Sequence, residues 1–403
     1  MSERTITSET VDELDETEDA SEQSDAEVSI DPKNDNEVER AYRERSFRII
    51  YQNHNYFLPQ LRDLVENREV LNLRPEYQRR FRWSRKKKAH LVESLLLNVP
   101  IPPIYLFEND DARYEVMDGQ QRLNAIFEYL NNDFPLSSLD ELSFLNGRRY
   151  NKLPPALQRG LERSSLSAVV LLQETRSHGH DPYKVRRYVY ERLNTGGEKL
   201  NPQEVRHSLY RGTFDRMIVS LTRNAKFCKI FGIPVYTETD ESKAYENPSR
   251  QKNTLYSKMA DCQIVLRFFA FKDDEKIVGS VKRMLDRCME QNQSIDDTQV
   301  AAFRAEFEET LDLAFAIFGD EAFVLPREAG GKDRTSIAVY DAVMGALHRS
   351  RGAHPKIMAE PEIARAAITA AIIENRALMT GRANTAQSVK DRIRGVQAAL
   401  ERL

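Results

Sequence analysis

The chain has 403 residues and a net charge of −4, enough for about two domains whose cores need no covalent staple. The charge is unevenly spread: residues 1–40 hold fifteen Asp and Glu against three Lys and Arg, a balance of −12, which leaves +8 on residues 41–403. No run approaches the roughly twenty apolar residues of a membrane span, no signal-like apolar core opens the chain, and Cys228, Cys262 and Cys288 lie too far apart for a CxxC metal pattern, so the expectation is a cytoplasmic protein with reduced thiols.

The acidic start has almost no large apolar residues and cannot bury enough surface to offset its ordering entropy. Residues 1–42 are therefore expected as a disordered tail. A solvating role is the simpler account, and an arm covering a basic surface the sharper one.

Residues 43–178 mix strand and helix signals. The run RSFRIIY (45–51) reads as extended and LPQLRDLVE (58–66) as helical. After a proline pair, 104–107 is β-branched and aromatic and reads as a strand, as does the alternation at 113–117, and LSAVVLL (166–172) reads as a buried strand. From 179 onward the pattern is almost wholly helical. Asp181 and Pro182 suit a helix start that runs to Gly196-Gly197; Asn201, Pro202 and Glu204 suit a capping box, with Gly212 as terminator. The fold class is α+β: a small mixed domain at 43–178 followed by a mainly α-helical domain at 179–403.

Two stretches carry chemistry. In YEVMDGQQRLNAIFEYL, Leu123, Ile126, Phe127 and Leu130 fall on one helical face just after Asp118 and Gly119. A structural account has Asp118 cap the helix, Gly119 take the tight backbone and Gln121 reach back as in a capping box. It leaves Gln120 and Arg122 unexplained. A cation in the first turn opposes the helix dipole unless an anion is near, and a glycine turn opening a helix offers free N–H groups to phosphate. An arginine there makes sense as a fork on a phosphate. The second stretch, RPEYQRRFRWSRKKKAH (74–90), sets eight Lys and Arg against one Glu and includes a further glutamine–arginine pair, Gln78 and Arg79. Ser84 suits the cap of a helix whose Leu91, Val92, Leu95 and Leu96 are buried. The positive charge crowding its amino end is electrostatically awkward without a polyanion.

RPEYQRRFRW, LLLNVPIPPIYLF and YEVMDGQQRLNAIFEYL, in this order, together with YVYERLNTGGEKLNPQEVRHSLYRGTF (188–214) and weaker segments at 262–271 and 388–393, resemble the amino-terminal part of GmrSD-type restriction proteins. That domain is similar in fold to the ParB/sulfiredoxin superfamily. The resemblance implies nucleoside triphosphate binding and hydrolysis in prokaryotic defence against foreign DNA, with Mg2+ as the companion ion. Carried over by position, it points to Asp118, Gln120, Gln121 and Arg122 for catalysis and to Gln78, Arg79, Gly119 and Arg122 for the nucleotide, with Asn194 as a further candidate. Asp118 is also the candidate metal contact, and a glutamine could orient water; the residues alone do not separate these roles from capping. Arg80, Arg82, Arg85, Lys86, Lys87 and Lys88 form the candidate DNA-binding stripe.

Many relatives carry or accompany a nuclease of the His-Asn-His type. After His207 only His348 and His354 remain, with no such neighbourhood, so a stand-alone form is expected in which a separate nuclease subunit cuts any DNA. His178 and His180 read better as a polar loop than as metal ligands. No GxxxxGK[ST] loop is present, which excludes an ordinary P-loop ATPase. Two functions compete: a nucleotide-hydrolysing enzyme, and a nucleotide-switched DNA clamp or sensor that recruits a nuclease. Homo-oligomerisation stays open. A purely structural turn beside a purely DNA-binding stripe ranks last, because a structural turn has no evident use for Arg122.

Overall fold

Between residues 51 and 171 the chain alternates period-two and period-3.6 patterns, and these become strands and helices in the computed structural model. It describes residues 13–14, 34–45, 47–67, 70–72, 83–108, 113–172, 176–177, 182–193, 201–237, 247–326, 334–380 and 384–403. The chain divides into two compact units, one of Ala26–Lys199 and one of Leu200–Leu403 with Met1–Asp25.

The first unit begins with an exposed helix α1 (Asp35–Arg45), followed by β1 (Phe47–Arg48), β2 (Tyr51–Phe57), α2 (Leu58–Glu66), β3 (Leu71–Asn72) and α3 (Arg85–Leu96). Next come β4 (Ile104–Glu108), β5 (Tyr114–Asp118), α4 (Gln120–Leu130), α5 (Pro155–Arg163), β6 (Ser165–Leu171), β7 (Arg176–Ser177) and α6 (Pro182–Leu193). Five strands form one mixed sheet in the order β2-β6-β4-β5-β3; β2–β6 and β4–β5 are antiparallel, β4–β6 and β3–β5 parallel. Strands β1 and β7 make a separate antiparallel pair.

Alternation puts Ile104, Leu106, Val116, Leu166, Ala168 and Val170 into the core. There they meet the apolar stripes of α2 (Leu58, Leu61, Val65), α3 (Ala89, Val92, Leu95) and α4 (Leu123, Ile126, Leu130). The stripe expected on α4 is therefore buried, with Phe127 packed at its edge. Ser84 caps α3 as expected, its hydroxyl accepting from Lys87 N at 3.3 Å.

The second unit is helical: α7 (Pro202–Leu209), α8 (Thr213–Leu221), α9 (Ala225–Ile230), α10 (Pro248–Lys252), α11 (Thr254–Ser257), α12 (Ala260–Phe271), α13 (Val281–Asn292) and α14 (Asp297–Phe318). A two-stranded ladder β8 (Val324–Leu325) and β9 (Arg334–Thr335) precedes α15 (Ile337–Arg349), α16 (His354–Ala359), α17 (Pro361–Glu374) and α18 (Ala386–Leu400). All of α12 and nearly all of α15 are buried, which marks them as the central helices of the unit. Gly345 lets α15 and α18 approach closely, since a Cβ there would sit 3.0 Å from Ile393 Cδ1. Among the described residues no helix is long and apolar enough to cross a membrane.

The α+β class followed by a helical region is therefore observed, with differences in detail. The units divide at 199/200 rather than 178/179, because α6 packs on β5 and β7. Most of the segment 1–42 lies outside the described residues; of the part described, 35–42 belong to α1, and Glu13 and Leu14 are buried in the helical unit. The capping box on α7 forms as expected, Asn201 Oδ1 accepting from Gln203 N and Glu204 N at 3.0 Å and Glu204 Oε2 from Asn201 N at 2.9 Å. Gly212 does not terminate that helix, which ends at Leu209. It opens α8 instead, where a Cβ would fall 1.8 Å from Gln293 O.

Candidate functional site

Strand β5 ends at Asp118 and α4 begins two residues later, so the chain must reverse within Gly119. It does so at φ +93°, a left-handed conformation in which a Cβ would also lie 2.4 Å from Ile104 Cγ2. Gly119, and not Asp118, is the residue that caps α4, and it offers no side chain to the amides of the first turn. The expected capping by Asp118 is thus overturned by geometry: its carboxylate turns to Arg122, accepting from Nη2 at 2.7 Å.

Arg122 has a second partner. The same Nη2 donates to Pro103 O at 3.0 Å, so the guanidinium ties the turn to the segment entering β4. Its side chain is 15 % exposed against 35 % for Asp118, and this pairing supplies the anion that a first-turn cation requires. The premise that a structural turn has no use for Arg122 therefore fails.

Gln121 is not part of a capping box either. Its Oε1 accepts from Trp83 N at 3.3 Å, which brings the middle of the basic stretch against the turn. Two buried donors beside it, Gln121 Nε2 and Arg122 Nε, have no hydrogen-bond partner among the described residues. Gln78, Arg79, Arg80 and Arg82 lie outside the described residues, as do Asn194, His178 and His180.

The described part of the stripe divides. Arg85, Lys86 and Lys87 are exposed on the first turn of α3, with Lys87 Nζ 4.7 Å from the Trp83 ring centre. Lys88 instead points inward, ion-paired with Glu128 of α4 at 12 % exposure. Its charge is spent on holding two helices together, which corrects its expected place in a DNA-facing row.

Glu93 went unnoticed in the sequence. Burial opposes its ionisation, yet the amides of Leu142 (2.8 Å), Asp140 (3.3 Å) and Glu141 (2.9 Å) hold its carboxyl below the usual range. A carboxylate inside the α3 stripe, next to Val92, was the available signal. With His90 and Asp140 it forms a cluster spaced for a cation. However, Glu93 is filled by its three amides, and His90 Nε2 lies 2.7 Å from Ser138 O, where only a ring N–H can bond. The cluster clamps the loop after α4.

Residues 61–211, carrying this corner, match the family described as the GmrSD restriction endonuclease, N-terminal domain. This segment is a GmrSD-type amino-terminal domain. The match covers both motif-bearing stretches from Arg74 to Leu130 and extends just beyond α7. Comparison with the curated proteins and with the solved structures gave no match. In the GmrSD-type domain of this chain, then, the Asp-Gly-Gln-Gln-Arg sequence is a β5–α4 corner: a left-handed glycine, an arginine pinned from two sides, and a glutamine holding Trp83.

Proposed function

We propose that the GmrSD-type domain binds a nucleoside triphosphate at the β5–α4 corner and hydrolyses it, as one component of a prokaryotic restriction-type defence system acting on foreign DNA. The carrying observation is the Trp83 N–Gln121 Oε1 hydrogen bond, which ties the basic stretch at Trp83 to the turn. The first-turn amides of α4, uncapped by any side chain, and the Arg122 guanidinium supply positive potential for phosphate oxygens. Gln78 and Arg79 extend that potential from the neighbouring stretch.

Asp118 fits a supporting place for Mg2+: one oxygen is held by Arg122, and the carboxylate is one-third exposed. When bound, the ion would neutralise phosphate charge. Arg122 would hold Asp118 in orientation, and Gln120 is assigned to position water. Arg80, Arg82, Arg85, Lys86 and Lys87 are the proposed DNA phosphate contacts, and cutting is assigned to a separate nuclease subunit. The reading places the protein in the cytoplasm.

A thermal-shift screen of the four ribonucleoside triphosphates with Mg2+ tests this. A ligand at a hundred times its Kd adds about 2.7 kcal/mol. Steady phosphate release, lost in Gln120→Ala, would support the enzyme, whereas a shift without release would support a nucleotide-switched clamp. A second reading is favoured by the two contacts of Arg122 and makes the corner structural only. In that case no nucleotide shifts the melting temperature, and Arg122→Ala lowers it.

A further inference from the structure

Glu13 and Leu14 belong to the most acidic part of the chain, yet each is only 6 % exposed. Glu13 Oε1 accepts from Arg334 Nη1 at 2.5 Å; Oε2 accepts from the amides of Ile337 (2.7 Å) and Ala338 (3.3 Å) and lies 2.9 Å from Ser336 Oγ. Those amides open α15, a helix of thirteen residues. The backbone is recognised as well: Gln263 Nε2, on the central helix α12, donates to Leu14 O at 3.0 Å. A charged head and a peptide carbonyl are thus received by different parts of the helical unit, and the Leu14 side chain is buried.

The electrostatics explain why an acidic segment is taken up. Arg267 and Arg392, both fully buried, reach Asp341 of α15, and Arg334 meets Glu13. Glu13 thus sets its carboxylate against a guanidinium at the positive end of the α15 dipole.

We propose that the amino end of α15 is a recognition site for a short acidic–aliphatic peptide, occupied here by the chain's own Glu13-Leu14. Tethering makes the segment a cis ligand at high effective concentration, so a partner peptide of the same chemistry must outcompete it. On this proposal Glu13 and Leu14 fasten their part of the acidic stretch to the helical unit.

The test uses full-length protein and a fluorescent peptide of residues 8–17, SETVDELDET. Glu13→Ala protein is expected to bind the peptide at least tenfold more tightly than wild type, whose site is filled. Replacing the peptide's glutamate at position 13 by glutamine, or adding Arg334→Ala to the protein, is expected to remove that binding. Equal binding by wild type and Glu13→Ala, or none by a folded Glu13→Ala protein, overturns the proposal. Should that variant fold poorly, hydrogen exchange decides. The first amides of a helix are ordinarily unprotected, so Ile337 and Ala338 should be protected in wild type and exchange at least tenfold faster in Glu13→Gln. Unprotected amides at both positions in the wild type also overturn it.

Discussion

The chain carries two arginine–aspartate pairs in opposite settings, one held by a single contact and one by a fork. At the β5–α4 corner Arg122 and Asp118 meet at 2.7 Å, with the aspartate one-third exposed. In the helical unit Arg267 grips Asp341 through Nε at 2.9 Å and Nη2 at 2.5 Å, and both are essentially without solvent access. Water decides what each pair does. A partly exposed pair at a helix amino end is weak and exchangeable, and its aspartate can answer to a ligand. A buried pair is costly to desolvate and still costlier to break, so it serves packing and geometry. The comparison teaches that an ion pair is a functional candidate where solvent still reaches it.

The comparison breaks first at its buried end. Asp341→Ala takes the carboxylate away from two buried guanidinium groups, and we expect a loss of about 3–5 kcal/mol in denaturant unfolding; a loss below about 1 kcal/mol would show the cluster to be solvated. Next is pH. Burial of His348, packed 5.3 Å from the Phe268 ring, pushes its pKa down to about 4. The unfolded chain therefore takes up a proton on this residue that the folded chain refuses. Stability from it is complete above about pH 6.5 and is lost as pH falls toward 4, by about 1–2 kcal/mol because solvent reaches part of the ring. His348→Phe should flatten the pH dependence of unfolding between those values, and an unchanged slope would count against a buried neutral ring.

At the corner, Gly119→Ala meets both a left-handed backbone and Ile104, and should cost about 2–3 kcal/mol. An intact protein of wild-type stability would mean that the turn is looser than drawn. The smallest stability effect sharpens the contrast most. Arg122→Lys keeps the charge but loses the Nη2 contacts to Asp118 and Pro103 O, and should cost about 1 kcal/mol while abolishing the nucleotide-induced thermal shift. Retention of the shift would remove Arg122 from the proposed site.

Much of the fold could be read along the chain, because period and capping are local. The α4 stripe, the Ser84 cap and the Asn201–Glu204 capping box depend on residues three or four apart. The candidate corner was legible as a stretch but not as a mechanism. Asp118 and Gln121 satisfy the spacing of a cap, yet each finds a better partner elsewhere: Arg122, already pinned to Pro103 O, and the amide of Trp83, thirty-eight residues away. Lys88 looked like one more positive charge until Glu128 claimed it.

Composition and periodicity alone determined an α+β region, a helical region, a basic stretch and an acidic start. Only the tertiary structure decided which charges are spent inside the protein and that Glu13 is among them, because hydrogen-bond partners are chosen by proximity between backbones that sequence spacing does not specify.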